Sequence, residues 1–146
     1  VAHAGEEAGA EYIWGALDAL QVERIDHGVQ AVHDTALMQR LARQGVPLTV
    51  CPLSNLKLRV VDTLQQHPLR RLLEAGLVAT INSDDPAYFG GYLLENFSQT
   101  FAALGLNAAH AYCLAHNSFT ASFIDGTLRR RYTDRLDSCF AQFAAP

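Results

Sequence analysis

The sequence LARQGVPLTV at residues 41–50 recurs in kind as LLEAGLVATI at residues 72–81, 31 residues further along the chain. In both segments a helical pattern ends at a glycine, Gly45 or Gly76, and a short apolar stretch follows. Glycine is the usual helix stop because it adopts left-handed backbone angles without a steric penalty. A helix-to-strand unit repeated at this spacing is typical of parallel β/α structure.

The same alternation extends to both sides of the repeat. Short strands are predicted at residues 1–2, 24–26, 48–51 and 77–82. Helices are predicted at about 8–20, between an Asp34 cap and the Gly45 stop, after His67-Pro68, and at 92–104, 108–117 and 124–143. We therefore expect one partial domain over residues 1–146, with β/α units and site motifs in residues 1–90 and a helical tail in residues 91–146.

The composition indicates a globular protein and argues against several partners. Of the 146 residues, 49% are hydrophobic and 18% are charged, which is enough apolar material for a sizeable core. The net charge of −4 leaves no basic surplus, so neither nucleic acid nor a membrane is an expected partner. The three cysteines form no CxxC pair, and no secretory signal is recognisable. Free thiols and a cytoplasmic location are expected.

Polar clusters follow every predicted strand. They are His3-Ala4-Gly5-Glu6, His27-Gly28, Cys51-Pro52-Leu53-Ser54-Asn55 and Ser83-Asp84-Asp85-Pro86. Parallel α/β barrels carry their active sites at the carboxyl ends of their strands. We therefore expect the four clusters to converge on one cavity.

Four motifs resemble those of the adenosine/adenine deaminase family of metal-dependent amidohydrolases. They are HAGE at 3–6, ERIDHG at 23–28, LTVCPLSN at 48–55 and NSDDPAYFGGY at 82–92. Their order and spacing are most similar to the adenine deaminase branch, from residue 1 to about residue 97. The resemblance implies a zinc-dependent (β/α)8 barrel, of which this chain supplies the C-terminal half, about four parallel strands with helices, plus C-terminal helices.

The resemblance also implies a role for five residues. His3 and Asp84 match zinc ligands, and imidazole and carboxylate are suitable zinc donors. Glu6 matches the proton donor to purine N1, a role that requires a raised pKa. His27 matches the histidine that orients and helps deprotonate the attacking water, and Asp85 matches the residue that faces purine N7.

One expected motif is missing from the sequence. The family's other two zinc ligands form a His-x-His pair, which does not occur in these 146 residues. We expect those two histidines on a missing N-terminal half-barrel, which is the expected partner together with self-association. The isolated chain is accordingly expected to bind zinc poorly and to be inactive.

Each motif also has a plain structural interpretation. Asp84-Asp85-Pro86 favours a turn, and Glu6 suits the first turn of a helix. Ser54 and Asn55 are either loop contacts or turn residues. Tyr88 and Phe89 either wall a purine pocket or pack together. Cys51 is expected to be buried without chemistry, and four histidines are expected to be caps or surface groups: His33, His67, His110 and His116.

Three functional hypotheses remain open at the level of sequence. The first is zinc-dependent deamination of adenine to hypoxanthine and ammonia by the parent enzyme. The second is deamination of adenosine to inosine by the same chemistry. Asp26 before His27 favours the free base, because nucleoside-specific relatives usually carry glycine there. The third is a half-barrel without catalytic activity that serves as an interaction module.

Overall fold

A computed structural model of the chain describes residues 1–144, and its centre is a four-stranded parallel sheet in the order β1-β2-β3-β4. The strands are β1 (Ala2–Ala4), β2 (Ile25–His27), β3 (Leu48–Val50) and β4 (Ala79–Ile81). The sequence-based prediction of about four parallel strands with helices is therefore confirmed. Each strand has three residues, fewer than predicted for β3 and β4 only.

Helices connect the strands and continue beyond the sheet. They are α1 (Ala10–Asp18), α2 (Thr35–Gln44), α3 (Pro52–Lys57), α4 (Leu69–Glu74), α5 (Pro86–Phe89), α6 (Leu93–Leu104), α7 (Ala108–Thr120) and α8 (Gly126–Ala144). Two 3₁₀ turns lie at Val29–His33 and Leu64–Gln66. None of the helices in the described part of the chain combines the length and hydropathy needed to span a bilayer.

The predicted ends of α2 are confirmed. The Asp34 carboxylate accepts a hydrogen bond from the Leu37 backbone N–H at 3.0 Å, which satisfies one free donor of the first turn. At the other end Gly45 has a φ of 64°, and its N–H bonds back to Leu41 and Ala42. Local sequence therefore determines where this helix begins and ends.

The register places a polar row across the sheet. His3 pairs with Asp26, Asp26 with Thr49, and Thr49 with Thr80, so the four side chains lie on one face. Apart from His27, which pairs with Ala4 at the end of β2, the alternate positions are apolar and pack with α1, α2 and α4; among them are Ala4, Ile25, Leu48, Val50, Ala79 and Ile81. The sheet therefore has a helix-covered apolar face and a polar face.

The outer edges of the sheet are open within residues 1–144. β1 and β4 each pair with one strand only. The outward carbonyl of Ala79 on β4 accepts a hydrogen bond from Asn117 Nδ2 of α7 at 2.8 Å.

One sequence-based interpretation, of Ser54 and Asn55, was wrong in detail, and one of the two interpretations of His67 is confirmed. Ser54 and Asn55, expected to be loop contacts or turn residues, lie in α3, because Pro52 at its first turn favours a helix start and apolar residues follow it. Ser54 and Asn55 are fully buried there rather than exposed in a turn. His67 is also buried, with 3% exposure, although it does act as a cap: its Nδ1 accepts a hydrogen bond from the Leu69 N–H.

Candidate active site

A cleft of about 510 Å³ opens at the carboxyl ends of the strands. Its lining consists of His3, Arg24, Asp26, His27, Thr49, Cys51, Asn82, Ser83, Asp84 and Leu93. Three of the five predicted site residues, His3, His27 and Asp84, therefore share one cavity. A second cleft of about 400 Å³, near Arg59 and Arg71, contains none of the five.

His3 lies on β1 at the edge of the cleft and is exposed. Its Nδ1 is 3.8 Å from Asp26 Oδ2, and its ring centroid is 5.1 Å from that of His27. Asp26 is in turn held by Thr49 Oγ1, which donates to Asp26 Oδ1 at 2.7 Å, and by Arg24 Nε at 3.3 Å. A carboxylate beside an imidazole orients the ring and its tautomer.

His27 occupies a buried and strained position at the end of β2. It is 3% exposed and has a φ of 66°, a left-handed conformation that is uncommon outside glycine. Its Nδ1 is 3.1 Å from Glu6 Oε1, but the two groups are poorly aligned and form no hydrogen bond. Its Nε2 is 4.0 Å from Asp84 Oδ2. Burial lowers the pKa of His27, partly offset by the Asp84 charge, which favours the neutral, proton-accepting ring.

Glu6 reaches the same place from the loop after β1. The preceding Gly5 has a φ of 65° and packs so closely that an added Cβ would lie 2.4 Å from Ile13 Cδ1. Asn55 Nδ2 donates to Glu6 Oε1 at 2.9 Å, and Gln30 Nε2 donates to the Glu6 carbonyl at 3.0 Å. Burial, with a further contribution from the Asp84 charge, raises the pKa of Glu6. The environment favours the protonated acid, which is the form that a proton donor needs.

Asp84 follows β4 and is the second residue of the cleft in the left-handed region, with a φ of 57°. One ligand atom each from His27, Cys51 and Asp84 lies within 4.8 Å of the other two, a grouping compatible with a metal ion. Burial and the nearby carboxylates raise the pKa of Cys51 to about 12, and its thiol donates weakly to the Thr49 carbonyl. A thiol must lose its proton to bind a metal, so Cys51 is the weakest donor of the three.

His3, His27 and Asp84 line the cleft and Glu6 lies 3.1 Å from His27, whereas Asp85 caps a short helix. Its Oδ1 caps α5, accepting from the N–H groups of Ala87 and Tyr88 at 3.1 and 3.2 Å. The side chain is exposed and does not line the cleft. The position of Asp85 in the structure therefore agrees with the interpretation of Asp84-Asp85-Pro86 as a turn. Tyr88, considered as a pocket wall, is 80% exposed and packs edge-on against Phe89.

Sequence reasoning missed two residues behind the cleft. Asn55 and His67 are buried, and they connect Glu6 to the start of α4. The sequence around each of the two residues could have indicated that it is buried. Asn55 lies in the mostly apolar stretch CPLSNL, and His67 directly precedes a proline and a helix.

Comparisons with known proteins agree with this arrangement. A family model described as "Adenosine deaminase" matches residues 1–139. The chain belongs to the adenosine deaminase family. Two curated relatives in this family are adenine deaminases, one from Albidiferax ferrireducens at 71% identity over 98% of this chain and one from Trichlorobacter lovleyi at 62% over 97%. The chain spans 41% of the length of each relative.

Two solved structures are also similar to this chain. An adenine deaminase from Arthrobacter aurescens superposes with a TM-score of 0.92 at 48% identity, covering 95% of this chain and 42% of that protein. An amidohydrolase from Burkholderia ambifaria, solved with bound Zn, has a TM-score of 0.89 at 27% identity, covering 97% of this chain and 40% of the other. The predicted family and partial-barrel fold class are thereby confirmed.

Proposed function

We propose that the complete polypeptide containing this chain is a zinc-dependent adenine deaminase that converts adenine and water to hypoxanthine and ammonia. The observation that carries the proposal is the grouping of Glu6, His27 and Asp84 at one end of the sheet. The adenine deaminase relatives, at 71% and 62% identity, support the choice of substrate. A cytoplasmic location belongs to the same proposal and fits three cysteines that are free of disulfides.

In this reaction each side chain has a distinct task. Glu6, whose pKa is raised, donates a proton to purine N1 as water adds at C6. His27, whose pKa is lowered, accepts a proton from that water. Asp85 faces purine N7, and a proton shared between N7 and Asp85 Oδ2 makes the hydrogen bond, since Oδ1 is engaged by α5. The different roles of Glu6 and His27 follow from their environments, which shift the pKa of the acid and that of the base in opposite directions.

The donors at the cleft fit zinc. Imidazole nitrogen and carboxylate oxygen are common zinc ligands, and side chains of both kinds lie within 4.8 Å of each other at His27 and Asp84. We assign His3 and Asp84 as ligands, with two further histidines from the part of the polypeptide outside this chain. Zinc, when bound, supplies the Lewis acidity that activates water near neutral pH.

The rest of the barrel is the proposed partner of this chain. The outer edges of β1 and β4, which pair with no other strand of the described residues, are where further strands fit, with the Ala79 carbonyl of β4 already engaged by Asn117; a second copy of the chain is the alternative occupant. Without those strands the site lacks two ligands. The 146-residue chain alone is therefore proposed to bind zinc weakly and to deaminate nothing.

The test compares adenine and adenosine with the complete, zinc-loaded polypeptide. Both substrates present the same C6 amine, N1 and N7, so discrimination depends on the space around N9. The expected result is a larger kcat/KM for adenine, with zinc at one equivalent. A preference for adenosine would reassign the substrate, and absence of deamination with either would remove the proposal. The isolated chain, assayed in parallel, is expected to be inactive until the remaining part is added.

A further inference from the structure

A buried row of hydrogen bonds runs from the start of α4 to Glu6. The Leu69 backbone N–H donates to His67 Nδ1 at 3.2 Å, and His67 Nε2 lies 3.2 Å from Asn55 Oδ1. Asn55 Nδ2 then meets Glu6 Oε1 at 2.9 Å. Asn55 is 0% exposed and His67 is 3% exposed, so the middle of this row is closed to solvent.

The direction of every bond in the row is fixed by its first member. A backbone N–H can only donate, so His67 Nδ1 must accept and carries no proton. The neutral ring then bears its hydrogen on Nε2 and donates it to Asn55 Oδ1. Consequently the Asn55 amide cannot turn over, because a flip would set two donors against each other and leave a buried group without a partner. Its NH₂ group is held toward Glu6.

This direction has a consequence for the Glu6 carboxyl group. Oε1 accepts from Asn55, and the carbonyl oxygen of a carboxylic acid is a better acceptor than its hydroxyl oxygen, so this bond favours the Glu6 proton on the other oxygen, Oε2. No hydrogen bond reaches Oε2 from the residues that the structure describes. Oε2 is therefore the oxygen able to carry a transferable proton.

We propose that Asn55 and His67 are positioning residues, which lock the Glu6 carboxyl group so that its proton resides on Oε2, from where it is delivered. The inference rests on the proposed deaminase function of Glu6. In the step it serves, the O–H bond at Oε2 breaks, the N1–H bond of the purine forms, and Glu6 is left as a carboxylate. Neither Asn55 nor His67 touches the substrate.

Two substitutions at His67 separate its hydrogen bond to Asn55, which positions Glu6, from its hydrogen bond with Leu69, which caps α4. Asn in place of His67 offers an oxygen near the Nδ1 position, which keeps the acceptor for Leu69 but loses the donor to Asn55. Gln offers an amide nitrogen near the Nε2 position, which keeps that donor. In the complete zinc-loaded polypeptide we expect His67→Asn to lower kcat about tenfold with KM within about threefold, and His67→Gln to stay near wild type. Equal kcat values for the two variants would refute the proposal that His67 positions Glu6 through Asn55.

A matched pair of buried asparagines tests Asn55 itself. Asn55→Asp replaces the donor to Glu6 by a carboxylate oxygen, whereas Asn96→Asp makes the same change in another fully buried asparagine. The latter caps the start of α3 by accepting from the Leu53 N–H at 3.1 Å. We expect kcat to fall about a hundredfold for Asn55→Asp, as for a misplaced catalytic group, and no more than about threefold for Asn96→Asp. Equal losses in folded protein would refute the inference; if Asn55→Asp fails to fold, the His67 pair decides.

A direct readout keeps this inference separate from the proposed function. Nitrogen NMR shifts of the His67 ring distinguish the protonated from the unprotonated nitrogen. The expected result at neutral pH is a proton on Nε2 alone, and a proton on Nδ1 would overturn the orientation whatever the activity. A wild-type polypeptide that deaminates no purine would instead refute the proposed function. The NMR result would still show whether His67 orients Asn55 toward Glu6.

Discussion

Acid is expected to destabilise the protein through His67. Burial lowers the pKa of this side chain from 6.5 to about 4, so folding disfavours the protonated ring. The stabilising contribution is complete above the unfolded pKa of 6.5 and is lost as the pH falls through the folded value near 4. At about 1.4 kcal/mol per pKa unit, the free energy of unfolding should decrease by about 2 kcal/mol at pH 5 and about 3 kcal/mol at pH 4, relative to pH 8.

The measurement is equilibrium urea denaturation between pH 8 and pH 4, followed by circular dichroism, for wild type and His67→Asn. The variant has no ring to protonate, so its decrease should be smaller by about the amounts given above. Other titrating groups contribute to both proteins and cancel in the difference. Leu72→Ala, which leaves a cavity where α4 packs on the core, should instead cost about 2–5 kcal/mol at every pH. An identical acid dependence in wild type and His67→Asn would refute the reasoning.

Two further substitutions follow from the geometry around the cleft. Gly5→Ala should cost about 2–4 kcal/mol by thermal denaturation, because left-handed strain adds to a clash with Ile13, whereas Gly45→Ala, left-handed but in open space, should cost about 1 kcal/mol; equal losses would show that the clash is relieved at no cost. Cys51→Ala should retain stoichiometric zinc in the complete polypeptide after dialysis, because its thiol is held protonated, whereas Asp84→Ala should lower zinc affinity at least tenfold; loss of zinc in Cys51→Ala would make the thiol a ligand.

Local signals in the sequence were sufficient for the architecture. Gly45 and Asp34 determine the ends of α2 through backbone angles and one side-chain hydrogen bond, both of which depend on neighbouring residues alone. The offset between residues 41–50 and 72–81 likewise reflects a repeated local unit. The length of β4 was overestimated because Leu77 is buried and apolar without being part of the strand, and hydropathy does not distinguish the two cases.

The supporting residues of the site could not be predicted in the same way. Asn55 and His67 are polar, and polarity alone favours an exposed position. Their burial depends on contacts with Glu6 and Leu69, which come from other elements. The placement of Asp85 depended on a competition between capping α5 and facing the cleft, which only coordinates resolve.

At His27 and Asp84 the left-handed backbone means that a substitution which raises thermostability can lower activity. Such angles cost non-glycine residues energy, and asparagine adopts them more readily than most residues. At position 84 an asparagine would ease the backbone and remove a negative charge that faces Glu6. A library selected only for heat resistance would therefore enrich Asn at position 84 and discard the proposed metal ligand. Stabilising campaigns on this scaffold should hold positions 27 and 84 constant.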